Sequence, residues 1–188
     1  MRMKQFVAIL CLFPFAASAQ LRKAGTTPDI HPDYLRVAQG QIGRDQPDSA
    51  IATLNEAVAT GADRASVAQF LLVSGNMLYG SNDAATPPQR KDYQRAASLL
   101  VASDSIVPSP ETKYVLGVTE FKIADLAVRE NSTAKHCDLA RLAQSSLSIA
   151  RQNIVGGESI DRNTSSQLLR AIERYRPAVQ DQVTKYCK

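Results

Sequence analysis

Three segments of the chain share one spacing, in which a small residue precedes a leucine by four positions and a second small residue by seven. In an α-helix, residues at these separations lie on one face. Each segment is therefore predicted to form a helix whose packed face carries one large side chain between two small ones, so that a neighbouring helix can approach closely. The three triplets are Ala50-Leu54-Ala57, Ala96-Leu100-Ser103 and Ala143-Leu147-Ala150.

The helical segment before each triplet also carries a small residue, and these residues are Ala38, Gly75 and Gly117. Small residues on both partners let two antiparallel helices pack closely, so each segment is predicted to form a hairpin with the triplet helix that follows it. The hairpin at Tyr114–Ala150 is predicted to turn at the polar stretch Arg129–Ala134. No run alternates apolar and polar residues as a strand does, and the chain is therefore predicted to be all-α.

This pattern resembles the tetratricopeptide repeat over about Pro32 to Ile154. In the first unit, the step from Ala38 to Ala50 has the family's twelve residues, whereas the corresponding steps in the later units are longer. The resemblance implies about three antiparallel helical hairpins stacked as a short solenoid. An irregular all-helical bundle, whose spacings come from ordinary core packing, is the alternative and belongs to the same fold class.

The last segment carries one amphipathic stripe along a helix predicted at 164–187, with polar and charged residues opposite. Such a helix suits a C-terminal cap that has one face on the array and one face in water. Pro177 lacks an amide proton, so we predict that it kinks this helix or splits it at Arg176. The stripe consists of Leu168, Ile172, Tyr175, Val179, Val183 and Tyr186.

The N-terminus has the pattern of an export signal. Arg2 and Lys4 precede an apolar run, and Ala17-Ser18-Ala19 supplies small residues for signal peptidase. The run is too short to cross about 30 Å of hydrocarbon. We therefore predict an exported protein that is periplasmic or extracellular after cleavage near Ala19. The predicted parts are a signal peptide at 1–19, a flexible lead-in at 20–32 and a single helical-repeat domain at 33–188.

Removal of the signal also removes Cys11 and leaves Cys137 and Cys187 as an even pair in an oxidising compartment. Cys137 begins the second helix of the last hairpin, and Cys187 ends the helix that returns beside it. Because these two ends should meet, we predict a disulfide between them. A reactive thiol or a metal site is the alternative, but the CxxC and HxxxH spacings of a zinc site are absent.

The charges of the mature chain do not favour nucleic acid as a partner. The chain has 22 Lys and Arg against 18 Asp and Glu. Two of these cations, Arg2 and Lys4, belong to the predicted signal, which leaves 20 against 18 and a net charge of +2. No run of four or more cations exists that could follow a phosphate backbone. These charges are therefore interpreted as a solvated surface.

Catalytic residues are sparse in this sequence. His31 and His136 are the two histidines, and both are expected at the surface. Glu120 and Asp125 are interpreted as the solvated edge of a buried helix, and no phosphate loop, nucleophile elbow or metalloprotease helix is present. We therefore expect no enzyme activity, no cofactor and no metal. Two glycosylation sequons begin at Asn131 and Asn163 and matter only if the source glycosylates exported proteins.

The resemblance to tetratricopeptide repeats also implies a binding surface, because such arrays line a concave groove with the exposed edges of their first helices. The residues carried over in this way are Leu35, Gln39, Gln69, Leu72, Asn76, Tyr79, Tyr114, Val118, Phe121 and Lys122. Their mixture of amides, aromatic and apolar groups suits a peptide or helix of a partner protein. Two alternatives stay open: the apolar members belong to the core, or the helices carry a small apolar ligand.

Overall fold

The computed structural model describes residues 30–80 and 88–187 of the chain. Within these ranges the protein forms seven α-helices and no β-strand, which confirms the all-α prediction. The helices are α1 (Pro32–Gly43), α2 (Pro47–Ala59), α3 (Arg64–Gly80), α4 (Arg90–Ile106), α5 (Pro110–Ala134), α6 (Cys137–Gly156) and α7 (Arg162–Tyr186).

Local sequence signals explain where several helices begin and end. Proline lies in the first turn of α1, α2 and α5, where a missing amide proton costs no intrahelical hydrogen bond. Ser109 caps α5, because its side chain accepts a hydrogen bond from the amide of Thr112 at 3.0 Å. After α2 the chain reverses at Gly61, whose φ of 104° lies in the left-handed region that favours glycine.

Consecutive helices pack as the hairpins α1–α2, α3–α4 and α5–α6, and α7 returns along α6. Every residue of the three small-leucine-small triplets is buried, which confirms the predicted helix faces. In two hairpins the small residue of the first helix lies close against the second helix, as predicted. A methyl group on Gly75 would lie 2.9 Å from Cγ of Leu100, and one on Gly117 would lie 2.8 Å from Cδ1 of Ile154.

The buried side chains form two main cores that are joined at α5. One core lies within α1 to α4, the other within α5 to α7, and a smaller cluster between α4 and α5 connects them. Leu116 and Ile123 belong to the connecting cluster, whereas Phe121 and Ala124 on another side of α5 belong to the C-terminal core. Helix α5 is thus buried on two sides and holds both halves of the molecule together.

The predicted turn at Arg129–Ala134 is wrong, because α5 continues through Ala134 and only two residues connect it to α6. The hydroxyls of Ser132 and Thr133 donate to backbone carbonyl groups three residues earlier, so these polar residues are accommodated within the helix. Lys135 ends α5 in the left-handed conformation, with a φ of 58°.

Helix α7 continues through Pro177, so the predicted split at Arg176 is wrong. Pro177 is exposed, while Ile172 and Val179 on either side of it are buried in the same core. Packing on both sides of the proline therefore keeps the helix together despite the lost hydrogen bond. The packed portion also begins earlier than the predicted domain start at residue 33, because Ile30 is buried against the N-terminal core.

Two connections tie the C-terminal end of α7 to the turn between α5 and α6. Cys137 and Cys187 form the predicted disulfide, with their Cα atoms 4.8 Å apart. Asn131 beside them is fully buried: its Oδ1 accepts from the amide of His136 at 2.7 Å, and its Nδ2 donates to Oε1 of Gln182 at 3.0 Å. These contacts satisfy the polar groups that the turn would otherwise bury unpaired.

Candidate binding groove

An open groove of about 540 Å³ lies between α4 and α6. Both helices pack on α5, but their backbones do not come into contact with each other, so the surface of α5 forms the floor of the gap. Helix α2 extends the wall beyond α4. We call this feature the α4–α6 groove. It is lined by Asp48, Ile51, Asn55, Gln94, Ala97, Ser98, Val101, Ala102, Ser105, Glu120, Ile123, Leu142, Ser145, Ser146 and Ile149.

The two walls of the groove expose apolar side chains to solvent. Val101 on α4 is 51% exposed and Ile149 on α6 is 39% exposed, and these two side chains face each other's wall across the same groove. The α4 positions that line the wall recur at steps of three and four residues between Gln94 and Ser105. They form one face that extends for about 16 Å at the helical rise of 1.5 Å per residue.

Glu120 lies on the groove floor and is only 8% exposed. The prediction that it marks a solvated helix edge is therefore wrong. Burial raises the pKa of this carboxyl group, and a hydrogen bond with the side chain of Ser146 acts in the opposite direction. Asp48 is the other titratable side chain among the lining residues, and no Lys, Arg or His is present in this set. The groove thus combines walls of mixed apolar and polar side chains with a buried acid.

The ten residues predicted for a concave groove lie on α1, α3 and α5, and none lines the α4–α6 groove. Gln39 and Gln69 are exposed, and Leu35, Leu72, Asn76, Tyr114, Val118 and Lys122 are partly buried. Helix α1 does not contact α3, whereas α3 contacts α5. The side chain of Tyr79 falls outside the described part of the structure.

Phe121, also predicted for that surface, is buried in the C-terminal core, where its ring makes an edge-on contact with Tyr175 at a centroid distance of 5.6 Å. Tyr114 and Val118 pack against the same core. For these aromatic and apolar side chains, the structure supports the alternative that they are core residues.

Sequence reasoning missed both the acid and the walls of the α4–α6 groove. One available signal was the position of Glu120 between Thr119 and Phe121, in a helix that the sequence already indicated to be buried. A second signal was the helical spacing of Gln94, Ser98 and Val101, which lie away from the small-leucine-small face of α4; the first two are half-buried and Val101 is exposed. Neither signal shows by itself that α4 and α6 diverge above α5.

The histidines and sequons occupy ordinary structural positions. His31 is exposed and caps α1, with Nδ1 3.4 Å from the amide of Asp33, and exposed His136 precedes α6. Asn163 is exposed, but fully buried Asn131 leaves no room for a glycan in this fold. Over residues 30–80 and 88–187, no group of three or more His, Cys, Asp or Glu side chains is placed to hold a metal ion.

Comparisons of the chain with protein-family models, with curated proteins and with solved structures found no match. None of the described helices is both long enough and apolar enough to span a bilayer. The groove and the N-terminal sequence are therefore the features from which a function can be proposed.

Proposed function

We propose that the protein is an exported, non-enzymatic helical scaffold that binds a segment of a partner protein in the α4–α6 groove. The observation that carries this proposal is the open groove of about 540 Å³ between two helices that share a floor and whose backbones do not come into contact. Grooves of this kind accept a helix or peptide whose apolar side chains fill the gap. The same proposal includes the prediction that the hairpins stack as a short solenoid similar to tetratricopeptide repeats.

The export part of the proposal is supported by two features. Arg2, Lys4 and the apolar run that follows have the order of a secretory signal. The Cys137–Cys187 disulfide suits an oxidising compartment such as the periplasm or the extracellular space, because cytosolic thiols are kept reduced.

A protein segment suits this groove better than a small apolar ligand, which is the other candidate from the sequence. The groove is open to solvent, and its floor carries the carboxyl group of Glu120. A purely apolar ligand would bury this acid further without offering it a hydrogen bond, which is costly. A peptide can bring polar groups together with apolar ones.

Site-specific photocrosslinking tests the proposed function. A photoreactive phenylalanine analogue is placed at position 149 in the groove or at position 73 on α3, since Ile149 and Val73 are matched at 39% exposure and Val73 does not line the groove. In the source cells, position 149 should form an adduct with one defined protein, whereas position 73 should not. Equal adducts at both positions, or none at either, would count against the groove as the binding surface.

A further inference from the structure

We propose that the segment bound in the α4–α6 groove is an amphipathic helix that places a lysine or arginine over Glu120. This inference rests on the proposed function and specifies its partner. It is carried by three features of the described residues: the buried position of Glu120, the absence of any cation from the lining, and the shape of the two walls.

Glu120 is a buried acid without a cationic partner. No ion pair among the described residues includes it, and the side chain that lowers its pKa by hydrogen bonding is the neutral hydroxyl of Ser146. A buried carboxylate needs a cation or several donors to compensate for lost hydration. The other partly buried acid of α5, Asp125, has such a partner in Arg129 at 2.8 Å. Among residues 30–80 and 88–187, Asp125 thus has a cationic partner and Glu120 has none, and a bound protein could supply the missing cation.

The charge of the whole groove points to the same partner chemistry. Its lining holds two acids, Asp48 and Glu120, and no basic residue. A basic segment would be attracted to this surface, and an acidic one would be repelled from it. The complementary partner is therefore cationic where it faces the floor.

The walls indicate the form of the segment. The face of α4 that lines the groove extends over about 16 Å, which corresponds to about three turns of a partner helix. Packed helices lie about 8–10 Å apart, so a helix over α5 would contact both walls. Val101 and Ile149 would then be covered by apolar residues at positions i, i+3 or i+4, and i+7 of the partner. The lysine or arginine of the partner helix lies on the same face as these apolar residues, within reach of Glu120.

Selection from a phage-displayed library of random 16-residue peptides tests this inference on the mature protein. Peptides are retained if they bind the native protein and fail to bind the Val101→Glu variant, and the Val73→Glu variant serves as the matched control. We expect the retained peptides to share apolar residues at helical spacing and one Lys or Arg on the same face.

The role of Glu120 is then measured with one retained peptide and its Lys→Gln or Arg→Gln derivative. On the native protein, loss of the cation should weaken binding at least tenfold. On the Glu120→Gln variant the two peptides should bind alike, whereas on the control Glu111→Gln, an exposed acid of the same helix, the tenfold difference should persist. If the Glu120 variant does not fold, equal binding of the two peptides to the native protein still overturns the inference, and the same peptide pair on Asp48→Asn, where the tenfold difference should persist, separates Glu120 from the other acid of the groove.

The possible outcomes separate the inference from the proposed function. Groove-dependent peptides without a shared basic residue would overturn the inference and leave the proposed function standing. If no peptide depends on the groove, the inference and the proposed function are both overturned. The same holds if a second copy of the chain occupies the groove, which would appear as a dimer that Val101→Glu dissociates.

Discussion

The hydroxyl group of Tyr175 on α7 donates a hydrogen bond to Oδ1 of Asp125 on α5. The side chain of Asp125 is 13% exposed, and it also binds Arg129 one helical turn later at 2.8 Å. Tyr175 packs its ring edge-on against Phe121. One residue of the C-terminal helix thus combines an aromatic contact with a charge-assisted hydrogen bond to the helix that joins the two cores.

Replacement Tyr175→Phe removes this hydrogen bond and keeps the ring. We expect the free energy of unfolding to fall by about 2 kcal/mol, because hydrogen bonds to charged groups contribute about 1.5–3 kcal/mol. The measurement is urea denaturation at pH 8. The control is Tyr34→Phe, since the Tyr34 hydroxyl makes only an exposed contact with Thr60 at 3.5 Å and its removal should change stability little. Equal effects of the two replacements would contradict the role of Tyr175.

The same tyrosine predicts an alkaline dependence of stability. Burial and the hydrogen bond to Asp125 raise the pKa of Tyr175 from 10.0 to about 12. The folded state therefore favours the neutral phenol. The contribution of the Tyr175 hydroxyl to stability is complete below pH 10 and is lost as the pH rises to about 12. The stability difference between the native protein and Tyr175→Phe should shrink over this interval. A constant difference would contradict the assignment.

Reduction of the Cys137–Cys187 disulfide should lower the free energy of unfolding by about 4 kcal/mol, because the unfolded chain regains the freedom of a loop with a sequence separation of 50. Denaturation of the mature protein with and without dithiothreitol measures this change. Thiol titration of the unreduced, denatured protein should find no free cysteine. The double variant Cys137→Ser, Cys187→Ser is the control, and the reductant should not affect its stability.

Replacement Gly117→Ala should destabilise the fold although alanine is the better helix former. The new methyl group would lie 2.8 Å from the side chain and 2.9 Å from the backbone nitrogen of Ile154. Overpacking costs about 1–3 kcal/mol, which exceeds the gain of about 1 kcal/mol in helix propensity. Gly40→Ala is the matched control, because the nearest atom is 3.9 Å away on the flexible side chain of Arg44.

The two glycine variants should therefore shift the thermal midpoint in opposite directions, downward for Gly117→Ala and upward for Gly40→Ala. A rise in both midpoints would contradict the close approach of α5 and α6. It would show that the two helices accommodate the extra methyl group without loss of stability.

Replacement Asn131→Ala should lower the free energy of unfolding by about 2 kcal/mol, since it empties a fully buried site and leaves the partly buried amide of His136 without its acceptor. Asn153→Ala is the control, because the side chain of Asn153 makes only an exposed bond to the carbonyl of Ile149. That change should stay within about 0.5 kcal/mol. Chemical denaturation of both variants with the disulfide intact distinguishes the two effects.

Replacement Glu120→Gln should stabilise the unbound protein near neutral pH. Burial raises the pKa of Glu120 above 4.5, so the folded state binds this proton more tightly than the unfolded chain. At high pH the native protein must keep a buried carboxylate, whereas glutamine stays neutral. The advantage of the variant should therefore decrease as the pH falls towards 4.5.

Thermal unfolding across this pH range measures the effect of Glu120→Gln. The control is Glu56→Gln, an exposed acid on α2. If Glu120→Gln destabilises the protein at pH 8, the carboxylate has a compensating partner and the proposed role of a partner cation is contradicted.

Sequence periodicity predicted the elements of this fold and their packed faces well. The triplets at Leu54, Leu100 and Leu147 are buried as expected, and the stripe of α7 packs at Leu168, Ile172 and Val179. These predictions succeed because the 3.6-residue repeat of a helix links spacing in sequence directly to a common face. The errors at Arg129–Ala134 and Pro177 arose where tertiary contacts outweighed a local helix-ending signal.

The sequence by itself determined the helical class, the hairpin faces and the pairing of Cys137 with Cys187. Each of these follows from local spacing or from the small number of cysteines. Only the tertiary structure decided that α4 and α6 stand apart above α5, and that Glu120 lies in the gap between them. The reason is that the burial of a side chain depends on distances between helices that are remote along the chain, and a helical repeat specifies a face without specifying what covers it.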